Sequence, residues 1–247
     1  MTPDVAATRT LGVDLASKPA GTAACLIAWE RDGATVEHLD AGVDDPELMR
    51  LSDTADRVGI DVPFGWPDNF VLAVNAHRDH QDWPSATSED LRYRRTDIFV
   101  WQQTGRPPLS VSADYLAIPA FRLAKLLAHW NADRLGKGKY VEVYPRAARN
   151  RWNLETKRVS EVVERAPWLR LMPEHVTSCD DDADCFDALI AALVTRAHVL
   201  GDCEPVPGED LEGARREGWI ALPREGTLEG LFRAGQSSSS VDNRRGH

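Results

Sequence analysis

The chain has 247 residues, 43% hydrophobic and 28% charged. That is ordinary composition for one globular domain with a substantial buried core. Its 29 Lys and Arg against 39 Asp and Glu give a net charge of -10, which excludes a whole-protein basic field for tight duplex binding but leaves room for a local basic groove.

Residues 1–8 read as a disordered lead. The apolar runs 9–15 (RTLGVDL), 22–30 (TAACLIAWE) and 34–40 (ATVEHLD) read as three strands, joined by the turn segments SKPAG and RDG. A helix fits 46–57, with Asp44 or Asp45 as its N-cap. The strand 57–63 (RVGIDVP) follows and stops at Pro63. Residues 64–114, rich in Asp, Arg, Trp and Pro, read as an inserted helical or loop region. Leu116, Phe121, Leu123, Leu126, Leu127 and Trp130 recur at helical spacing over 115–131. A strand over 139–144 (KYVEVY) ends at Pro145, and a short helix fits 158–165. The clearest helix is 183–200, closed by Gly201. A helix over 210–217 and the short strand WIALP come next, and 235–247 reads as a disordered polar tail.

The order β-β-β-α-β-insert-α-β-α predicts a mixed five-stranded sheet flanked by helices, one domain over 9–223 with the insert after the fourth strand. The first strand sits centrally with the fourth parallel beside it, which is the RNase H-like order. No run approaches the ~18 apolar residues of a membrane span. Met1 to Thr10 lack an apolar signal-peptide core. Cys25, Cys179, Cys185 and Cys203 form no C-x-x-C pair. The expectation is a cytoplasmic protein with no membrane partner and no zinc knuckle.

Acidic residues close several of these elements. Asp14 ends LGVDLA, Asp61 ends VGIDVP, and Glu142 lies within KYVEVYP. If the strands are neighbours, all three meet at one sheet edge, outside the carboxyl ends where ligands of α/β sheets gather. Asp184 and Asp187, three apart in DCFDALIAAL, share a helix face. Each acid also has a plainer reading. Asp14 and Asp61 serve equally as turn formers, and Asp184 as a first-turn acid favoured by the helix dipole. Asp180, Asp181 and Asp182 read as a solvated run that supplies the N-cap. Glu142 is harder to dismiss, because a buried Glu is rare without a partner. Together, clustered carboxylates call for a cation, and hard oxygen donors in that number suit Mg²⁺ or Mn²⁺. Two such ions about 3.5–4 Å apart can clamp the attacking and leaving oxygens of a phosphodiester.

The segments LGVDLA, VGIDVPFGWP, YRRTDIFVWQ, VEVYPRAARNRW and DCFDALIAALVTR together resemble an RNase H-like predicted nuclease family still classed as a domain of unknown function. The resemblance spans roughly 9–223. It implies a metal-dependent nuclease with Asp14, Asp61, Glu142 and Asp187 as catalytic residues. The D-x-x-D-A-L segment is also similar to the end of a Holliday-junction resolvase of the same superfamily, which uses both helix acids and so keeps Asp184 among the metal ligands.

Basic residues cluster at Arg92, Arg94, Arg95 and Arg106, with Tyr93 and Trp101 interleaved. They cluster again at Arg146, Arg149, Arg151, Lys157 and Arg158, with Trp152. Arg94, Arg95, Arg146, Arg149 and Lys157 are the candidates for contact with a nucleic acid, DNA or RNA. Singly, each also reads as an ordinary surface charge. His77 and His80 have ligand spacing but are assigned no role. Two other functions fit the fold. An actin-like phosphotransferase would need two lobes with Gly-rich phosphate loops, which this chain lacks. A non-catalytic interaction module would use the acids only to shape a surface, a reading the acidic net charge keeps open.

Overall fold

A computed structural model describes residues 8–232. The disordered lead and tail expected at 1–8 and 235–247 fall outside it, apart from Thr8, which opens the first strand.

The meander forms as expected: β1 (Thr8–Asp14), β2 (Ala23–Trp29) and β3 (Ala34–Ala41). Asp44 starts α1 (Asp45–Thr54) by accepting the Glu47 amide N–H, and Pro46 sits in the first turn, where a missing N–H costs nothing. β4 (Arg57–Asp61) follows. The insert is helical in three pieces: α2 (Asp68–Arg78), α3 (Ser88–Arg92) and α4 (Arg95–Thr104). Then come α5 (Ala117–Trp130), β5 (Tyr140–Glu142) and α6 (Pro145–Arg151). Pro145 both stops β5 and opens α6. The chain continues through α7 (Val159–Arg165), β6 (Leu169–Arg170), α8 (Pro173–Asp181), α9 (Ala183–Leu200) and α10 (Leu211–Glu217).

The sheet has six strands in the order β5-β4-β1-β2-β3-β6. β1–β2 and β2–β3 are antiparallel, whereas β1–β4, β4–β5 and β3–β6 are parallel. This corrects the expected five. β6 pairs only Leu169 and Arg170 with Ala34 and Thr35, too short a run to carry a period-two signal. The segment WIALP is not a strand. It makes isolated bridges, Ile220 to Glu142 and Pro223 to Cys203.

Period-two alternation splits the sheet into two cores. On one face Leu11, Val13, Val58, Ile60 and Tyr140 pack with Leu48 and Leu51 of α1 and Leu123 and Leu126 of α5. On the other, Cys25, Ile27, Val36 and Val141 pack against α9, with Leu228 and Leu231 of a terminal 3₁₀ turn. α9 lies hard on the sheet. A Cβ at Gly12 would stand 2.1 Å from the Ala192 amide nitrogen and 2.2 Å from the Ala188 carbonyl oxygen. A Cβ at Gly59, the register partner of Gly12, would stand 2.0 Å from Thr195 Oγ1. These two glycines form the floor on which the helix rests.

Candidate functional site

β1 and β4 pair in parallel with Asp14 opposite Asp61, so the two carboxylates leave adjacent strand ends about 4.8 Å apart. Each lies two residues beyond its floor glycine and projects from the same face. Two residues of strand advance about 6.6 Å. Four to five residues of helix, from Ala191 and Ala192 back to Asp187, retrace about 6–7.5 Å. Asp187 is thereby level with Asp14 and Asp61. It is the one residue from Cys185 to Ala197 in α9 that is not buried. Asp182 caps the helix by accepting the Asp184 N–H at 2.8 Å, and Asp184 stands at the rim.

Burial and mutual repulsion dominate this corner. Burial first, then Asp184 and Asp187, push the Asp14 carboxyl up to about 7. Burial, Asp14 and Asp187 push Asp61 well above the usual carboxylate range, and burial with Asp182 and Asp187 raises Asp184. The positive charge nearest this group is Lys157, whose Nζ donates to Asp187 Oδ2. Arg149 Nε lies 4.0 Å from Asp187 Oδ1. That oxygen and Arg149 Nε are both buried without a hydrogen-bond partner. As placed, no three His, Cys, Asp or Glu side chains among the described residues form a set that could hold a metal ion. The donors nevertheless suit a hard divalent cation in two ways. Asp14 and Asp61 are carboxylates that burial and repulsion leave short of positive charge, and Asp187, held by Lys157 through Oδ2, keeps its buried Oδ1 without a hydrogen bond.

Glu142 reaches the same edge but the opposite face. Its register partner is Ile60, not Asp61, and the pleat sends Ile60 into the α1–α5 core. There Glu142 is 2% exposed. Arg94 Nη1 and Nη2 donate to its two oxygens at 2.9 and 2.8 Å, and the Phe64 N–H donates to Oε2 at 2.9 Å. Burial pushes the Glu142 carboxyl up and Arg94 pulls it back down. Gly218, at φ 88°, lets the chain pass close by, since a Cβ there would meet Glu142 Oε2 at 2.8 Å.

The structure withdraws Arg94 from the nucleic-acid candidates. It is 1% exposed and spends its donors on Asp97 and Glu142. The R-x-T-D segment is an internal brace: Asp97 accepts the Arg94 backbone N–H, and Thr96 Oγ1 accepts the Ile220 N–H at 2.9 Å. Arg95 is partly exposed but braces Glu217, which accepts from its backbone N–H and its Nη1.

Arg146, Arg149 and Lys157 do gather beside the carboxylates. With Arg106, Thr104, Tyr144, Asn150 and Asp187 they line a cleft of about 600 Å³. A smaller cavity of about 180 Å³ holds Asp14, Asp61 and Glu142, and Tyr144 lines both. The sequence reading passed over Tyr144 and Asn150. Their one signal was position, just after β5 and within α6.

Fold and site define a mixed α/β protein with a carboxylate cluster at the edge of its sheet. The chain matches the family described as "Protein of unknown function (DUF429)" over residues 12–212 and belongs to it. No curated protein and no solved structure matches the chain. No helix among the described residues is long and apolar enough to cross a membrane.

Proposed function

We propose that the protein is a metal-dependent nuclease of RNase H-like fold, with Asp14, Asp61 and Asp187 as its central carboxylates. The observation that carries this reading is their convergence on one face of one sheet edge beside a cleft lined by four cationic side chains. The strand order β5-β4-β1-β2-β3, with only β2 antiparallel to its neighbours, supports the fold assignment.

Asp14, Asp61 and Asp187 would hold Mg²⁺ or Mn²⁺, with Asp184 at the rim. The chemistry such a cation supplies is acidification of an attacking water and relief of the charge building on the phosphate. Arg146 and Arg149 would steady the phosphate backbone. Glu142 acts at one remove: through Arg94 and the Phe64 N–H it fixes the loop after β4 and thus Asp61. A non-catalytic module on the same fold is favoured by one observation, the contact of Lys157 with Asp187, which already neutralises that acid.

The test is cleavage of labelled single-stranded and duplex DNA and RNA with Mg²⁺ or Mn²⁺. Wild-type cleavage that falls at least ~10²-fold in Asp14→Asn and Asp187→Asn supports the reading. Cleavage unchanged in both variants refutes it, and so does the lack of any cleavage by the wild type.

A further inference from the structure

We infer that the basic cleft is a seat for one nucleic-acid strand, and that a duplex does not enter it. This rests on the nuclease reading and names its substrate class.

Three observations carry it. The first is size. A cleft of about 600 Å³ can take the backbone of one strand but cannot enclose a duplex, whose major groove alone is ~12 Å wide. Asp187 lines this cleft, and Asp14 and Asp61 line a cavity of about 180 Å³ that shares Tyr144 with it.

The second is charge. Arg106, Arg146, Arg149 and Lys157 line the cleft together with two acids, Glu155 and Asp187, the latter already held by Lys157. Among the described residues, Arg106 and Arg146 make no ion pair, and both are exposed. The positive field is local, within a chain of net charge -10. A duplex carries a charge every ~1.7 Å and extends beyond any small basic patch onto acidic surface, whereas a single strand can end its contact at the cleft.

The third is stacking surface. Tyr144 stands at the junction of the two cavities. Trp101 lies outside the cleft lining, one turn before the lining residue Thr104 on α4; it is exposed and packs against Tyr93 with ring centroids 5.8 Å apart. Unpaired bases stack on such rings, but the bases of an intact duplex are already stacked on each other.

The test is fluorescence anisotropy of the full chain with labelled 20-nucleotide poly-dT, poly-U and a 20-base-pair duplex, in EDTA so that binding is read without turnover. The expected result is single-strand affinity at least tenfold above that for the duplex. Its logarithm should fall against log salt with a slope of about -2 to -3, from three to four cations at ~0.7 each. The surface variants Arg106→Gln and Arg146→Gln together should cost at least tenfold in that affinity with an unchanged melting temperature. The poly-dT and poly-U arms report whether the strand is DNA or RNA. Equal or tighter duplex binding, no single-strand binding, or an unaffected double variant overturns the inference. Tight strand binding without cleavage in metal would instead refute the nuclease reading and leave the strand seat standing.

Discussion

Gly12→Ala is the substitution that most directly probes how the site is assembled. The new Cβ would come within 2.1–2.2 Å of backbone atoms of α9, against 3.4 Å for an ordinary contact. The helix would therefore have to retreat by about 1.2–1.3 Å, and because the clash is with backbone no rotamer can relieve it. Overpacking of this kind costs about 1–3 kcal/mol and sometimes more, and this case belongs at the upper end. At ~2–4 °C per kcal/mol for a chain of this size, ~3 kcal/mol lowers the melting temperature by about 6–12 °C. The same retreat carries Asp187 away from Asp14, so binding of Mn²⁺ should weaken even in protein that remains folded. Thermal melts by circular dichroism, with calorimetric Mn²⁺ titration below the transition, read both effects. A variant that melts within ~2 °C of wild type would show that α9 does not rest on Gly12 and would refute the packing argument.

The pH dependence of the metal-free protein follows from the raised carboxyls. Asp14 moves from 3.8 to about 7, so the folded chain keeps a proton that the unfolded chain releases. The associated stability is present below about pH 4 and is lost as pH rises through about 7; Asp61 and Asp184 act in the same direction. Melting temperature should therefore decline between pH 5 and 8, and less steeply in Asp14→Asn. Arg94→Met leaves Asp97 and Glu142 buried without their cation, which should cost about 3–5 kcal/mol in urea denaturation; a loss under ~1 kcal/mol would contradict the brace. Lys157→Met removes the cation that competes at Asp187. At its exposure that contact is worth at most ~1 kcal/mol, so calorimetry should show Mn²⁺ affinity rising by up to about fivefold; weaker binding would be the wrong sign.

Much of the sheet could be read from the sequence because its strands are apolar and bounded by turn residues, and because Asp14 and Asp61 end two of them. Asp187 was legible for a related reason: an acid one turn into an otherwise apolar helix needs a special place. Glu142 was placed at the right edge but not on its face. Which face a strand residue takes depends on the parity of its register, here Ile60 opposite Glu142, and no local pattern encodes that. Arg94 was misplaced for a different reason. An Arg in a polar stretch reads as exposed, whereas here two acids distant from or adjacent to it in sequence, Glu142 and Asp97, together hold its guanidinium charged in the interior, raising it against the pull of burial.

The central claim is that Asp14, Asp61 and Asp187 act together on a divalent cation. Anomalous diffraction from crystals soaked in Mn²⁺ tests it without recourse to turnover. The account predicts a peak bounded by carboxylate oxygens of these three residues, with Lys157 swung away from Asp187. A fully soaked crystal that shows no peak there, and keeps Lys157 on Asp187, would contradict it.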